Sequence, residues 1–338
     1  MTRPGPRWRI RVHADPILLQ SWAILCGVSL LDHSGEARLG FRNFGLPPER
    51  GVWLEVRDFE VASTRTICVD LGDHASLRSP RRAAAADSLW KRSWTPGTGR
   101  PLGLVAGMRS GHEPLAHHLV KAIWTALRSD DASQEAKRVI ASFRGRHEYL
   151  RLDNYEAPSA KRPVVLYQVA GWAPERTSAP ERGATVNESR AALIGALRRH
   201  FGSRFIGGFT RTEFTQTHYP HFLSDHSQAR VDYVQLVRSS AIAVSSVGLH
   251  GSNPWKLAEY LAGGAAIVSE PLRFAIPESL DGTATFFTDV DGCLAACDDL
   301  LSNARVLHEH HERSREYWRK YARPDALLRR RLTEEFAS

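Results

Sequence analysis

The sequence predicts an α/β fold whose second half is built on a parallel sheet. Two observations carry this: from Lys161 onward short β-rich runs alternate with amphipathic helical runs, and every crossover is long enough to bring the chain back parallel. In order, the pattern gives strand 164–169, helix 187–201, strand 204–209, helix 231–238 and strand 241–247. A glycine-rich loop follows, then helix 256–262, strand 265–269, strand 283–288 and helix 291–301. These strands are almost continuously apolar, as expected where helices cover both faces of a sheet. In the first half, 8–13, 52–57, 66–71 and 88–94 read as strands and 16–31 as a helix, so this half is also α/β but less regular.

A chain of 338 residues, 42% hydrophobic and 24% charged, is long enough for two domains and too apolar for disorder. The stretch 154–163 (NYEAPSAKRP) has two prolines and little apolar content, so it reads as the connection between them. The expected division is a domain over 1–155, a second over 162–320, and a terminal helical segment over 321–338 that returns toward the first. Cys26, Cys68, Cys293 and Cys297 contain no C-x-x-C pair, and the start does not read as a secretory signal. A reducing cytoplasm is the expected compartment. The best apolar run, 17–31, is short for a bilayer span and holds Gln20 and Ser21, which leaves room for peripheral membrane contact at most.

The formal charge is +8, and residues 1–160 hold 23 Lys/Arg against 17 Asp/Glu. Such an excess suits an anionic ligand, a membrane surface or nucleic acid, or has no partner at all.

The segment 241–270 (AIAVSSVGLHGSNPWKLAEYLAGGAAIVSE) carries the chemistry. A buried strand ends in a loop with Gly248 and Gly251 before a helix that starts near Pro254, so first-turn N–H groups would point at an anion in front of them. Ser252 or Asn253 can cap that helix. Lys256 places a cation in its first turn, where the helix dipole disfavours it, and Glu259 lies on the same face. A carboxylate there can accept both hydroxyls of a ribose; the bland alternative is a solvated i, i+3 ion pair.

Residues 241–270 resemble the donor-binding segment of GT-B glycosyltransferases: strand, glycine loop, P-W-K-L-A-E-Y-L-A helix, then a strand with A-I-V-S-E. Gly171-Trp172-Ala173-Pro174, Asn187-Glu188-Ser189-Arg190, Gly207-Gly208 and Trp90-Lys91-Arg92-Ser93-Trp94 extend the likeness, in order, over most of residues 60–325. The resemblance implies the GT-B fold, two Rossmann-like domains facing a central cleft, with the N-terminal one degenerate and on the acceptor side. It implies a metal-independent, cytoplasmic enzyme with no cofactor, which moves a sugar from a nucleoside-diphosphate donor such as a UDP-sugar to an acceptor hydroxyl. Glu259 would hold the ribose, and Ser246, Gly248, His250, Gly251, Ser252, Trp255 and Lys256 would surround the diphosphate. Trp172 and Gly208 would line the cleft, and Lys256 with Arg190 or Arg211 would stabilise the leaving group. Many retaining members carry a second glutamate where this chain has Gly251, so the stereochemical outcome stays open.

An inverting route needs a general base from the first domain. His13 and Asp15 are the first candidates, Asp70 and Asp73 the second, and Lys91 and Arg92 could meet an anionic acceptor or only border the cleft. Asp289-Val290-Asp291 reads as a helix cap rather than a metal site, His308, His310 and His311 as a solvated helix, and Cys293 and Cys297 as core. Two other classes stay in view: a sugar-nucleotide epimerase-like GT-B protein, which needs no acceptor, and a nucleic-acid-binding or nucleic-acid-modifying protein.

Overall fold

Alternation along the first strand sets the first sheet. In β1 (Trp8–Ala14), Trp8, Ile10 and Val12 are buried, while Arg9, Arg11 and His13 take the opposite face. The computed structural model describes residues 5–14, 21–41, 52–77, 80–113, 133, 149–177 and 179–337. The chain divides into two compact units: residues 1–152, 275–277 and 320–338 form the first, and 153–274 with 278–319 the second.

In the first unit β1 is followed by α1 (Trp22–His33), β2 (Ala37–Phe41), β3 (Val52–Asp58), β4 (Ser63–Asp70), α2 (Pro80–Ala84), β5 (Ser88–Lys91) and β6 (Arg100–Pro101). The sheet order is β2-β1-β3-β4-β5-β6. β3 runs antiparallel to both neighbours, while the other pairs are parallel. A tight turn rather than a helical crossover joins β3 to β4, which is why this half lacks the regular pattern of the second. The anticipated strand 88–94 stops at Lys91, and residues 16–20 of the anticipated helix lie outside the described residues.

The C-terminal helix of this unit packs on α1. Gly27 makes that approach possible, since a Cβ there would stand 2.4 Å from the Pro324 carbonyl oxygen. Buried Glu335 accepts bonds from Arg65 (3.0 Å), Ser88 (2.9 Å) and the Trp90 indole (3.1 Å), which ties the same helix to β4 and β5.

After α3 (Leu152–Glu156), the second unit runs β7 (Arg162–Val169), α4 (Pro180–Phe201), β8 (Phe205–Phe209), α5 (Glu213–His218), α6 (Arg230–Ser239) and β9 (Ser240–Ser245). It continues with α7 (Lys256–Ala262), β10 (Ala266–Ser269), β11 (Ala284–Phe286), α8 (Val290–Ser302) and α9 (Ala304–Tyr317); α10 (Pro324–Phe336) is the helix on α1. The sheet order is β11-β10-β9-β7-β8 and every pair is parallel, as the alternating pattern anticipates. From β7 the chain moves outward to β8, then returns to the other side of β7 for β9. The topological switch point therefore lies between β7 and β9.

Helix α4 starts at Pro180, seven residues before the anticipated Asn187. Proline in the first turn lacks the N–H that would be orphaned there, and Glu181 suits the positive end of the helix. The histidine run also departs from expectation, because His310 and His311 are buried rather than solvated. They share the α9 face of Ser314 and Tyr317 against the sheet, and His311 bonds the Ala241 carbonyl at 2.8 Å. Asp289 caps α8 by accepting the Gly292 N–H at 2.8 Å, and Cys293 and Cys297 lie in the core, as expected.

Burial pushes the His311 imidazole down to about 4, outweighing the bond to Ala241, and pushes His310 down as well. Between pH 6.5 and 4 the unfolded chain takes up protons that the native state refuses, so stability is lost as pH falls through that window. Urea titrations from pH 7 to 4 should show this slope, and His311→Gln should flatten it.

Candidate functional site

A cavity of about 680 Å³ opens in the second unit beyond the carboxyl ends of β9, β10 and β11, with α4 along one side. Open α/β sheets bind ligands at the carboxyl ends of their strands beside the switch point. Arg190 of α4, itself buried, defines the place: it donates to the Ala170 carbonyl after β7 (2.8 Å) and the Val247 carbonyl after β9 (3.2 Å). One guanidinium thus spans the two switch-point loops and reaches the cavity wall. Ser246 faces the same space, its hydroxyl 2.8 Å from that of Tyr167.

Two further arginines reach this cavity, Arg182 from the first turn of α4 and Arg273 from the loop after β10. Both are exposed and neither has a partner among the described residues. Glu181 and Glu270 also line it, and Glu270 is engaged by the Val247 N–H at 2.7 Å. Leu193, Leu249 and Phe287 supply an apolar wall. Three cations against two carboxylates, with hydroxyls and one hydrophobic side, suit an anion joined to a partly apolar body.

The residues anticipated around the donor separate into two groups. Arg190, Ser246, Gly248 and Gly251 line the cavity, whereas Trp172, Gly208, His250, Ser252, Trp255, Lys256 and Glu259 do not. The glycine loop binds itself: Gly248 N–H donates to Ser252 O (3.0 Å) and Gly251 N–H to Gly248 O (2.9 Å). Together with Val247, these loop amides are already engaged within the protein. Gly251 has φ +70, and a Cβ there would lie 2.7 Å from Arg273 Cδ, so the missing side chain makes room for the arginine.

The helix-capping expectation fails. α7 begins with Trp255 in the cap position and no side-chain cap bond. Asn253 instead exchanges two bonds with the main chain of Phe274 (2.8 and 3.3 Å), holding the loop that carries Arg273.

Lys256 donates to the Gln168 carbonyl and lies 5.0 Å from the Tyr233 ring centroid. Burial pushes its amine down to about 8, against Glu259, which favours the charge, and with Arg190 and Arg230, which oppose it. Glu259 is 4% exposed. Its partner is Arg230 rather than Lys256, and its Oε2 has no hydrogen-bond donor among the described residues. Burial works against the Arg230 charge, but Glu259 outweighs it and holds the guanidinium above its usual value; Arg230 also donates to the Tyr155 hydroxyl at 2.9 Å. Arg211 is occupied by the Ser224 carbonyl and Asp225.

Asn187 lies in mid-helix and exchanges two 2.9 Å bonds with the main chain of Trp172. Gly207 and Gly208, at φ +137 and +132, serve close chain approach: a Cβ on Gly208 would meet Phe222 O at 2.6 Å.

In the first unit, His13 lies inside β1, opposite Trp53 of β3, and Asp15 is outside the described residues. Asp70 forms a buried pair with Lys91 at 2.9 Å, and Asp73 pairs with Arg92. These four side chains neutralise one another. The sequence missed Arg182, Arg273 and Arg230; only the helix-start position of Arg182 and the loop position of Arg273 after a strand were available as signals. Among the described residues no cluster of His, Cys, Asp and Glu is arranged to hold a metal, and no helix is long and apolar enough to cross a membrane.

No family model and no curated protein matches the chain. Solved structures align with it at low similarity. A candidate UDP-N-acetylglucosamine 2-epimerase from Listeria monocytogenes is 12% identical at TM-score 0.42, over 95% of this chain and 93% of that one. MnaA of S. aureus, in a structure with UDP, is 12% identical at TM-score 0.41, with the same coverage, 95% and 93%. The glycotransferase of kitacinnamycin is 12% identical at TM-score 0.33, over 99% of both chains. Likeness this distant does not bear on activity. The α/β class rests on the two sheets themselves.

Gly208→Ala should lower stability by about 3 kcal/mol, a strained φ added to a backbone clash. In a urea titration this loss should appear while ligand affinity of the folded protein stays unchanged; a selective loss of affinity would return Gly208 to the site. Lys256 sheds its proton near pH 8 when folded but near 10.5 when unfolded. Stability should therefore rise with pH across that window through this group, and Lys256→Met should remove its share.

Proposed function

We propose that the chain is a glycosyltransferase that moves a sugar from a nucleoside-diphosphate donor to an acceptor hydroxyl, with the donor's diphosphate in the switch-point cavity. The observation that carries this reading is the convergence of Arg182, Arg190 and Arg273 on one cavity beside the switch point. About 680 Å³ is room for a nucleotide sugar, which lies within the usual range of ligand pockets.

In the reaction, the bond between the anomeric carbon and the diphosphate oxygen breaks while the acceptor oxygen bonds to that carbon. Negative charge grows on the departing diphosphate, and the acceptor proton passes to a base. Arg190, fixed by two carbonyls, is preorganised for the growing charge; Arg182 and Arg273, unpartnered, can close on the phosphates. The resemblance gives Glu259 the ribose; Glu259 is buried against Arg230 and lies outside the cavity lining, so this reading is carried by the three arginines and not by Glu259. The resemblance gives the acceptor proton to a base of the N-terminal domain, for which the sequence offers His13 or Asp15.

The experiment is a thermal-shift series with UDP, GDP, TDP and CMP and their sugar conjugates, since a ligand bound only to the native state raises its melting temperature. One diphosphate series should stabilise the protein, and Arg182→Gln or Arg273→Gln should each weaken it roughly tenfold by removing a charge-assisted bond. Nucleoside diphosphate release should then require an acceptor. Conversion of the sugar nucleotide to an isomer without acceptor would move the reading to epimerisation, and no response to any nucleotide would end it.

A further inference from the structure

The register of the first sheet aligns three arginines across neighbouring strands. Arg9 of β1 pairs with Arg38 of β2 on one side and with Arg57 of β3 on the other, and Arg57 pairs in turn with Thr64 of β4. Residues directly opposite share a face, and adjacent strands are about 4.8 Å apart, so three guanidiniums stand in a row roughly 10 Å long. Like charges directly opposite destabilise a sheet. None of the three has an ion pair or hydrogen bond among the described residues, and Arg57 only leans over the Phe59 ring at 5.5 Å. The neighbouring cations are satisfied, Arg11 by Glu55 (2.8 Å) and Arg7 by Asp58 and Glu60 (both 3.1 Å). Glu55, Asp58 and Glu60 are therefore already neutralised, and Asp32 is engaged by the Leu39 N–H at 2.8 Å.

Beside this row the chain turns from β3 to β4 over residues 59–62, and the turn presents Phe59 at 47% and Val61 at 52% exposure. Among the described residues the exposed large hydrophobics are these two, Val231 and Phe286, so half of them sit on one hairpin tip.

We propose that this hairpin and arginine row form a docking surface for an anionic lipid membrane. Phe59 and Val61 enter the interface between headgroups and acyl chains. Arg57, two residues back along the strand, and Arg9 and Arg38 behind it in the row meet the phosphates. Charge complementarity and the apolar tip together select this occupant. A nucleic acid would use the arginines but has no place for Val61. The surface belongs to the first unit and is independent of the cavity in the second.

The test is cosedimentation of the full chain with vesicles of phosphatidylcholine alone and of phosphatidylcholine mixed with phosphatidylglycerol. Binding should need the anionic lipid and weaken as salt is raised. The triple variant Arg9→Gln, Arg38→Gln, Arg57→Gln should bind on the order of 100-fold more weakly, at about 1 kcal/mol per arginine near the surface. It should melt no lower than the parent, because it removes a row of like charges. The double variant Phe59→Ser, Val61→Ser should also weaken vesicle binding, with the salt dependence retained. Equal binding to both vesicle types, or undiminished binding by the triple or the double variant, overturns the proposal. Retention on duplex or single-stranded nucleic acid through the same arginines, without vesicle binding, overturns it too.

Discussion

One guanidinium orders the cavity-facing edge of the second unit. In a parallel sheet the carboxyl ends of the strands leave main-chain carbonyls directed outward, and at a switch point the two loops diverge because their helices leave on opposite faces. Arg190 answers both conditions by donating to Ala170 O and Val247 O. Around that anchor the remaining parts have defined positions: Val247 N–H is held by Glu270, the glycine turn closes on Ser252, and Asn253 fixes the loop with Arg273. Without the anchor the Ala170 and Val247 carbonyls would lose this donor, and the two loops the group that links them.

The same economy explains why the charged residues of the 256–262 helix look inward. Lys256 and Glu259 face a buried polar layer with Arg230, Tyr155 and the Gln168 carbonyl rather than solvent. Charges in such a place persist only when paired and hydrogen-bonded. Among the described residues, Glu259 Oε2 and the neighbouring Tyr233 hydroxyl are buried atoms of this layer with no hydrogen-bond partner.

Much of the second unit was legible in the sequence. Near-continuous apolar strands alternating with amphipathic helices leave little choice but a parallel sheet, and helix 256–262 appears with its anticipated bounds. The first unit was harder to read because β3 reverses direction through a tight turn and β2 is short. Of the residues lining the cavity, Gly248 and Gly251 were named from the strand-loop-helix pattern, and Arg190 and Ser246 from the resemblance. Arg182 and Arg273 escaped it because what brings them together is the fold: one lies in a helix turn that seemed to start later, the other in an irregular loop. The pairing of Glu259 with Arg230, 29 residues away, has no local signature either. His310 and His311 misled in the other direction, since a run so rich in Glu and Arg conceals which single face is buried.

The position of α10 sets an order on biosynthesis. Gly27 is shaped to receive the Pro324 backbone, and Glu335 bonds to Arg65, Ser88 and Trp90. Every piece of the second unit lies between these partners along the chain. During translation the amino-terminal sheet must therefore wait, with one flank of α1 uncovered, until the last helix has emerged. The second unit's chain is complete before that helix emerges, so the first half stays open the longest during synthesis.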